Sequence, residues 1–455
     1  MAKVTGKMME TNNKKKPIPN PARLLATGFL IAIALGTLLL SLPVATADGR
    51  GLGLLDAFFM ATSATCVTGL VVVDVGTTLS GFGQTVILLL FQMGGLGIMT
   101  VTTLFAFAVG RRVSLSDTLT MGEALGNPRL SGVLLLARNV VLLTLVVEAV
   151  GAVALTLAFR ADYPLGQALY YGVFHSVSAF CNAGFDLFGV SLTRYTTDVF
   201  VNLVFVALIV VGGLGFYVNS ELLSFRRSGG TRLTLHTRIV LKATAALIGI
   251  GTLLVFVFEY ANPATMGGLS LGEKVMASLF QVVTSRTAGF NTVPTAGLLP
   301  SSLLVVMVLM FIGASPGSTG GGTKTTTFVT VLAAIRAALR RRDDVDIGGR
   351  RLPPEVVVKA WVITAAFIGL IIVTLMVLLT SERAPFIEIL FETVSALGTV
   401  GLSMGLTPDL SPVGRILLPC LMFAGRVGPL TLAVALARRK ATVDWHLPEE
   451  RIYVG

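Results

Sequence analysis

Four short phrases recur along this chain, each built around a glycine: "ATCVTGLV" (64–71), "AFCNAGFD" (179–186), "SRTAGFNT" (285–292) and "LGTVGLSM" (397–404). Their glycines, Gly69, Gly184, Gly289 and Gly401, lie roughly 110 residues apart, the mark of an internal repeat. The order of elements around each glycine is the same. A long apolar run comes first (24–42, 139–159, 239–260, 357–380), followed by a segment of about a dozen residues (55–65, 168–180, 272–284, 386–397). The phrase comes next, and then a second long apolar run (83–108, 198–223, 301–335, 412–437). A helix needs about 20 apolar residues to cross a bilayer, so the short segments enter without crossing. Irregular backbone at that depth is tolerated only where protein buries it or where it lines a watery cavity. The pattern predicts an all-α polytopic membrane protein, with four tandem helix–pore-helix–helix repeats around one pseudo-fourfold ion pore.

Composition agrees with a membrane setting. The 455 residues are 13% charged, against about 25% in a soluble domain, and 54% hydrophobic. Forty-nine glycines suit close helix packing in lipid. A net charge of +11 would suit nucleic acid, but the basic residues cluster in the N-terminus and in alternate loops, as in "FRRSGGTRLTLHTR" (225–238) and "RAALRRRDDVDIGGRR" (336–351). That is the positive-inside pattern, so lipid is the expected neighbour and no nucleic-acid partner is expected. The stretch before Leu24 is basic, and 24–42 is long enough to span, so it reads as a first crossing rather than a cleaved signal core.

Eight crossings place both termini in the cytoplasm. The expected division is a cytoplasmic N-terminus (1–22), repeat 1 (23–110), repeat 2 (111–225), repeat 3 (226–340), repeat 4 (341–437) and a cytoplasmic C-terminal tail (438–455). Under this topology acidic residues outnumber basic ones on the outer face, which would concentrate cations there. Asp74 and Asp186, just after the first two phrases, are candidate attractors. Cys66, Cys181 and Cys420 have no metal-like spacing and read as small buried packing residues. His175 reads as a hydrogen-bonded packing residue, and Glu148 as paired within the bundle.

The phrases carry a definite chemistry. A permeating cation sheds water, and backbone carbonyls can replace it. Turning successive carbonyls to one axis needs backbone angles that glycine reaches without steric cost. The candidate ion-lining residues are Thr65, Cys66, Val67, Thr68 and Gly69 in repeat 1, and Cys181, Asn182, Ala183 and Gly184 in repeat 2. Repeat 3 adds Arg286, Thr287, Ala288 and Gly289; repeat 4 adds Gly398, Thr399, Val400 and Gly401. The hydroxyls of Thr65, Thr68, Thr287, Thr399 and Ser403 would add oxygens. A bare cation in the lining would repel the ion, so Arg286 reads as a brace.

The second long run of repeat 3 is interrupted by "GASPGSTGGGTKTTT" (313–327). Gly313, Ala314, Ser315, Pro316, Gly317, Ser318, Thr319, Gly320, Gly321 and Gly322 would not hold a helix. A phosphate-binding loop requires Gly-Lys-Ser/Thr after a strand, whereas here Thr323 precedes Lys324 between apolar runs. An intramembrane loop beneath the phrases is expected instead, able to obstruct the pore and move aside. Arg426 lies mid-helix in "LMFAGRVGPL", where a bare charge costs about 2.5–3.5 kcal/mol. It is expected to hold the loop through backbone carbonyls as a positive barrier, with Lys324 reaching the cytoplasmic mouth.

These motifs resemble the Trk/Ktr/HKT superfamily of potassium transporters over essentially the whole chain. The likeness rests on "ATSATCVTGL" (61–70), "SVSAFCNAGF" (176–185), "QVVTSRTAGFNT" (281–292), "ETVSALGTVGLS" (392–403), "QMGGLG" (92–97), "VGGLGF" (211–216), "GASPGSTGGGTKT" (313–325) and "FAGRVGPLT" (423–431). It looks most like the bacterial Ktr membrane subunit, because one apolar crossing rather than three precedes the first phrase. The resemblance implies a selectivity filter with K+ at Gly69, Gly184, Gly289 and Gly401, and a gate at 313–325. Glycine rather than serine at position 69 implies potassium preference. A homodimer and a cytoplasmic ring of nucleotide-binding (RCK/KTN-type) regulatory subunits are also implied, with sodium a candidate coupling or activating ion and no organic cofactor. The basic loops 225–238 and 336–351 and the tail 438–455 are the expected docking surface. The competing reading is an alternating-access transporter for another solute, with sites at broken helices. No HExxH or paired-carboxylate motif in the apolar segments suggests an enzyme.

Overall fold

A computed structural model describes residues 21–97, 133–227 and 233–428, together with Thr431. Repeat 1 comprises an outer helix α1 (Pro21–Leu40), a pore helix α2 (Leu54–Thr65) and an inner helix α3 (Gly81–Leu96). Repeat 2 has the outer helix α4 (Val133–Phe159), the pore helix α5 (Leu165–Cys181), and an inner element of two pieces, α6 (Val199–Leu214) and α7 (Phe216–Arg227). Repeat 3 follows as α8 (Leu235–Glu259), α9 (Leu271–Ser285), α10 (Pro300–Ile312) and α11 (Thr325–Leu339). After a short hairpin (β1 Asp346–Ile347, β2 Arg350–Arg351), repeat 4 adds α12 (Pro354–Ser381), α13 (Phe386–Gly398) and α14 (Pro412–Val427).

Among the described residues, four helices are long and apolar enough to cross a membrane, Arg23–Leu40, Arg138–Phe159, Leu235–Glu259 and Pro354–Ser381, and the bent pair Val199–Leu214 with Phe216–Arg226 would make a fifth span. The four are the outer helices. Their outward faces expose Leu142, Val150 and Leu157 on α4, Ile250, Leu253 and Val257 on α8, and Val373 and Met376 on α12. Such faces are stable only against lipid. The chain is a multi-pass membrane protein.

Local chemistry fixes where the inner helices start. Ser80, Asp198 and Ser411 cap α3, α6 and α14 by accepting from the N–H groups of Gly83, Val201 and Gly414. Pro300 opens α10. Acids at the ends of outer helices staple two of these starts. Glu259 accepts from Leu299 N at 2.9 Å, and Glu382 accepts from Ser411 N at 2.9 Å.

Each inner helix packs against the pore helix of the next repeat: α3 on α5, α6 on α9, α10 on α13, and α14 back on α2. The repeats therefore close into a ring. Arg415 on α14 meets Asp56 on α2 at 2.5 Å across the closing seam.

The inner helices correct one expectation. Continuous helix was expected over 83–108, 198–223 and 412–437, with a break only in repeat 3. Instead α3 stops at Leu96 before Gly97 (φ +82°), and α14 stops at Val427 before Gly428 (φ +88°). In repeat 2 the chain turns at Gly215 (φ +100°), and α7 leaves α6 at 102°. Positive φ at a glycine ends the helix in each case. The parts of those expectations at 98–108, and at 429–437 apart from Thr431, lie outside the described residues.

Candidate functional site

Each pore helix ends in a similar turn, one residue tighter in repeat 3. The residue before the glycine donates its N–H to a carbonyl near the end of the helix: Thr68 to Ser63 (2.8 Å), Ala183 to Ser178 (2.8 Å), Ala288 to Thr284 (2.9 Å) and Val400 to Ser395 (2.9 Å). Two positive-φ residues shape each turn. The first are Val67, Asn182, Thr287 and Thr399, and the second, two residues later, are Gly69, Gly184, Gly289 and Gly401. Left-handed backbone is rare outside glycine, so four non-glycine cases in register reflect a conformation imposed by the surrounding packing.

The four glycines form a closed ring. A Cβ on Gly69 would lie 2.5 Å from Ala183 O, one on Gly184 2.9 Å from Ala288 O, and one on Gly289 2.5 Å from Val400 O. One on Gly401 would strike Thr68 O. The carbonyl before each glycine thus faces the glycine of the preceding repeat, and the fourth step returns to the first. No side chain fits in the ring. The C-terminal ends of α2, α5, α9 and α13 precede it and place four partial negative charges around it. The hydroxyls of Thr65, Thr68 and Thr399 are buried without a hydrogen-bond partner, among the described residues.

On one side of the ring lies a cavity of about 330 Å³, lined by all four glycines together with Asp74, Asp186, Asn291 and Ser403. Asp74 caps a short turn through Thr77 N (2.6 Å), and Asp186 accepts from Phe188 N and Gly189 N (both 2.9 Å). Partial burial pushes the Asp186 carboxyl up to about 6; the nearby Asp74 charge adds to this, and the backbone N–H groups oppose it.

On the other side the interrupted segment 313–324 presses against the ring. A Cβ on Gly320 would strike the Thr287 hydroxyl, and one on Gly321 would strike that of Thr399. Glycine is required at both positions by close approach. The segment is also tied to repeat 2, where Ser315 N donates to Gly213 O (3.1 Å), Thr319 N to Gly212 O (3.3 Å), and Phe216 N to Gly317 O (2.7 Å). That last bond satisfies the first N–H after the bend between α6 and α7.

Three cations surround this segment, Arg286 buried and Arg426 and Lys324 partly buried. Arg426 donates to Thr319 O and to Gly94 O, linking repeats 4, 3 and 1. Arg286 donates to Gly313 O at 3.4 Å, bracing the third phrase against the end of α10. Lys324 was expected at the cytoplasmic mouth. Its ammonium donates to Gly320 O (2.7 Å) and Gly321 O (3.3 Å) within its own loop. A partly buried ammonium needs acceptors, and the carbonyls of its own loop supply them.

The remaining expectations sort as follows. His175 is buried among aromatic rings, bonding Tyr171 O and Leu187 N. Glu148 accepts from Gln92 Nε2 at 3.0 Å. Cys66 and Cys181 are buried as expected, but Cys420 is exposed on α14, on a face that packing does not cover. Sequence reading missed the breaks at Gly97, Gly215 and Gly428, and the Asp56–Arg415 pair. The recurring "GGLG" at 94–97 and 212–215 was the available signal for two of the breaks.

Residues 12–442 match the family model described as TrkH, cation transport protein. The chain is 39% identical to the Ktr system potassium uptake protein B of Bacillus subtilis over 435 residues, covering 96% of this chain and 97% of that one. It is 37% identical to the potassium/sodium uptake protein NtpJ of Enterococcus hirae (96% and 97% covered). It is 38% identical to the Ktr system potassium uptake protein B of Vibrio alginolyticus (95% and 94%). Among solved structures, the potassium transporter TrkH of Vibrio parahaemolyticus shares the fold with a TM-score of 0.71 at 22% identity, over 94% of this chain and 86% of that one. With that match spanning nearly its whole length, and the fourfold glycine ring at its centre, the chain belongs to the TrkH family of cation transport proteins.

Proposed function

We propose that this chain is the potassium-translocating membrane subunit of a Ktr-type uptake system, with the glycine ring as its selectivity filter and the 313–325 loop as its gate. The observation that carries the reading is the ring itself. Four backbone turns meet with no side chain between them, an acidic cavity lies on one face and a glycine-rich loop is pressed to the other. Carbonyls in such a ring can replace the hydration of a small cation. Relatives of comparable length carry names that specify potassium uptake, and one specifies potassium and sodium.

Arg426 and Lys324 hold the loop closed by binding its carbonyls, and they put positive charge on the path below the filter. Opening therefore requires the loop to exchange these bonds. The membrane potential can drive uptake, at about 2.3 kcal/mol per charge per 100 mV. Sodium acts as a coupling or activating ion, and no organic cofactor takes part. The subunit works as a homodimer in the cell membrane, with both termini cytoplasmic. It docks a nucleotide-binding regulatory ring on its basic loops, of which 336–351 exposes Arg336, Arg340, Arg341, Arg342 and Arg350. Replacing 336–351 should abolish pull-down of that ring; unchanged capture would remove this surface from the proposal.

The test of transport is uptake into proteoliposomes with potassium and sodium in competition, wild type beside Gly69→Ser. Potassium-selective uptake that the serine variant opens partly to sodium supports the filter. If neither cation moves even with the regulatory ring added, the reading fails.

A further inference from the structure

The fourth limb of the ring is held differently from the other three. In repeat 1 the Ser63 hydroxyl accepts from Gly69 N (3.1 Å). In repeat 2 the matching hydroxyl donates to the segment leaving the ring, Ser178 to Phe185 O (2.8 Å); in repeat 3, where Val283 holds that register, the next residue Thr284 donates to Phe290 O (2.8 Å). The matching residue in repeat 4 is Ser395. Its hydroxyl is buried and has no hydrogen-bond partner.

One helical turn earlier, in register with the glycines, stand Met60, His175, Phe280 and Glu392. Only His175 and Glu392 among them reach the strand leaving the ring. His175 Nε2 accepts from Leu187 N at 3.2 Å. Glu392 Oε1 accepts from the Ser403 hydroxyl and from Thr407 Oγ1 (2.8 Å). Ser403 in turn accepts from Gly405 N (2.9 Å) and from Thr407 Oγ1 (3.1 Å), so one carboxylate gathers the whole turn after Gly401. Glu392 is fully buried and its second oxygen has no partner. A carboxylate placed so deep without a cation is costly to keep for packing alone.

We propose that Glu392 is the positioning residue of the fourth limb: through Ser403 and Thr407 it fixes Gly401 and so sets how well the ring discriminates between cations. The inference rests on the glycine ring being the filter. Glu392 touches no permeating ion and acts only through the strand it holds.

The test uses the full chain in liposomes, with potassium and sodium in competition, and compares Glu392→Leu, Glu392→Gln and Ser403→Ala with Gly69→Ser. Glu392→Leu removes the acceptor and should lose about tenfold of the potassium-over-sodium ratio, the scale of one buried hydrogen bond. Glu392→Gln retains an accepting oxygen and should stay within about twofold. Ser403→Ala, at a half-buried position, should fall between the two and decides the matter if the leucine variant does not fold. Unchanged ratios in Glu392→Leu and Ser403→Ala, with Gly69→Ser altered, overturn the role of Glu392 alone. A glutamine variant as damaging as leucine also overturns it, because charge rather than the acceptor would then matter. If Gly69→Ser is unchanged as well, the filter reading fails and this inference fails with it.

Discussion

Gly69 shows how little freedom a residue in the ring has. Its φ is +92°, and a Cβ there would sit 2.5 Å from Ala183 O and 3.0 Å from Gly184 Cα. Gly69→Ser therefore adds about 1–3 kcal/mol of backbone strain and pushes repeat 2 outward. The expected result is a wider ring with more sodium uptake and retained potassium uptake, read by competing-cation flux. Arg426 works in the opposite sense, because it adds bonds. Arg426→Ala removes two charge-assisted bonds to carbonyls, each worth about 1.5–3 kcal/mol. If it holds the loop closed, flux should rise about tenfold or more in the absence of any activator. Loss of folded protein instead would make it a structural clamp between repeats. Asp186 adds a pH dependence at the acidic cavity. Its carboxyl titrates near 6, so the charged form dominates above that pH and the neutral form below it. Lowering the pH on that face through 6 should weaken cation capture. Asp186→Asn should flatten that part of the profile, and a wild-type profile flat from pH 7 to 5 would count against the attraction.

At the scale of elements, the informative comparison is between the breaks that the sequence displays and those it hides. Segment 313–327 carries Pro316 among many glycines, and its leading apolar run is too short to cross, so the interruption is legible from composition and length. The stops at Gly97, Gly215 and Gly428 are not. Each sits inside an apolar run long enough to cross whole, and a single glycine weakens a helix by only about 1 kcal/mol. What ends those helices is the positive φ of one residue, and for α6 the bond from Phe216 to Gly317 O, a partner from another repeat. The pore helices were legible for the opposite reason, since their shortness is a property of the chain itself. The gating proposal belongs to this scale. Deleting 315–321 removes the glycines that fit under Thr287 and Thr399 and the Thr319 carbonyl that Arg426 holds. Potassium flux through a correctly folded deletion should increase, and unchanged or lower flux would sink the gate.

At the scale of the molecule, closure matters more than any single repeat. Four units in which each inner helix packs on the next pore helix make a ring with one axis, whereas alternating access through two inverted halves would need one half to rock against the other. Three of the four seams lie between consecutive repeats and were implied by the tandem pattern. The fourth joins residues 359 apart, and no local signal in "LLDAFF" or "VGRILL" pairs Asp56 with Arg415. That seam is where the ring is most open to test. Arg415→Asp would place two carboxylates across it. The expected cost is about 2 kcal/mol after discounting for side chains that are 25% and 27% exposed. In a chain this long such a loss lowers the detergent unfolding midpoint by only about 2 °C. The sharper readout is selectivity, because the seam fixes α14 against α2 and hence Gly401 against Gly69. Arg415→Asp should leak sodium, and adding Asp56→Arg should restore both the midpoint and the potassium preference. If the double exchange recovers neither, the pair is incidental and packing alone closes the ring; if it recovers the midpoint but not the preference, the seam holds the fold without setting the filter.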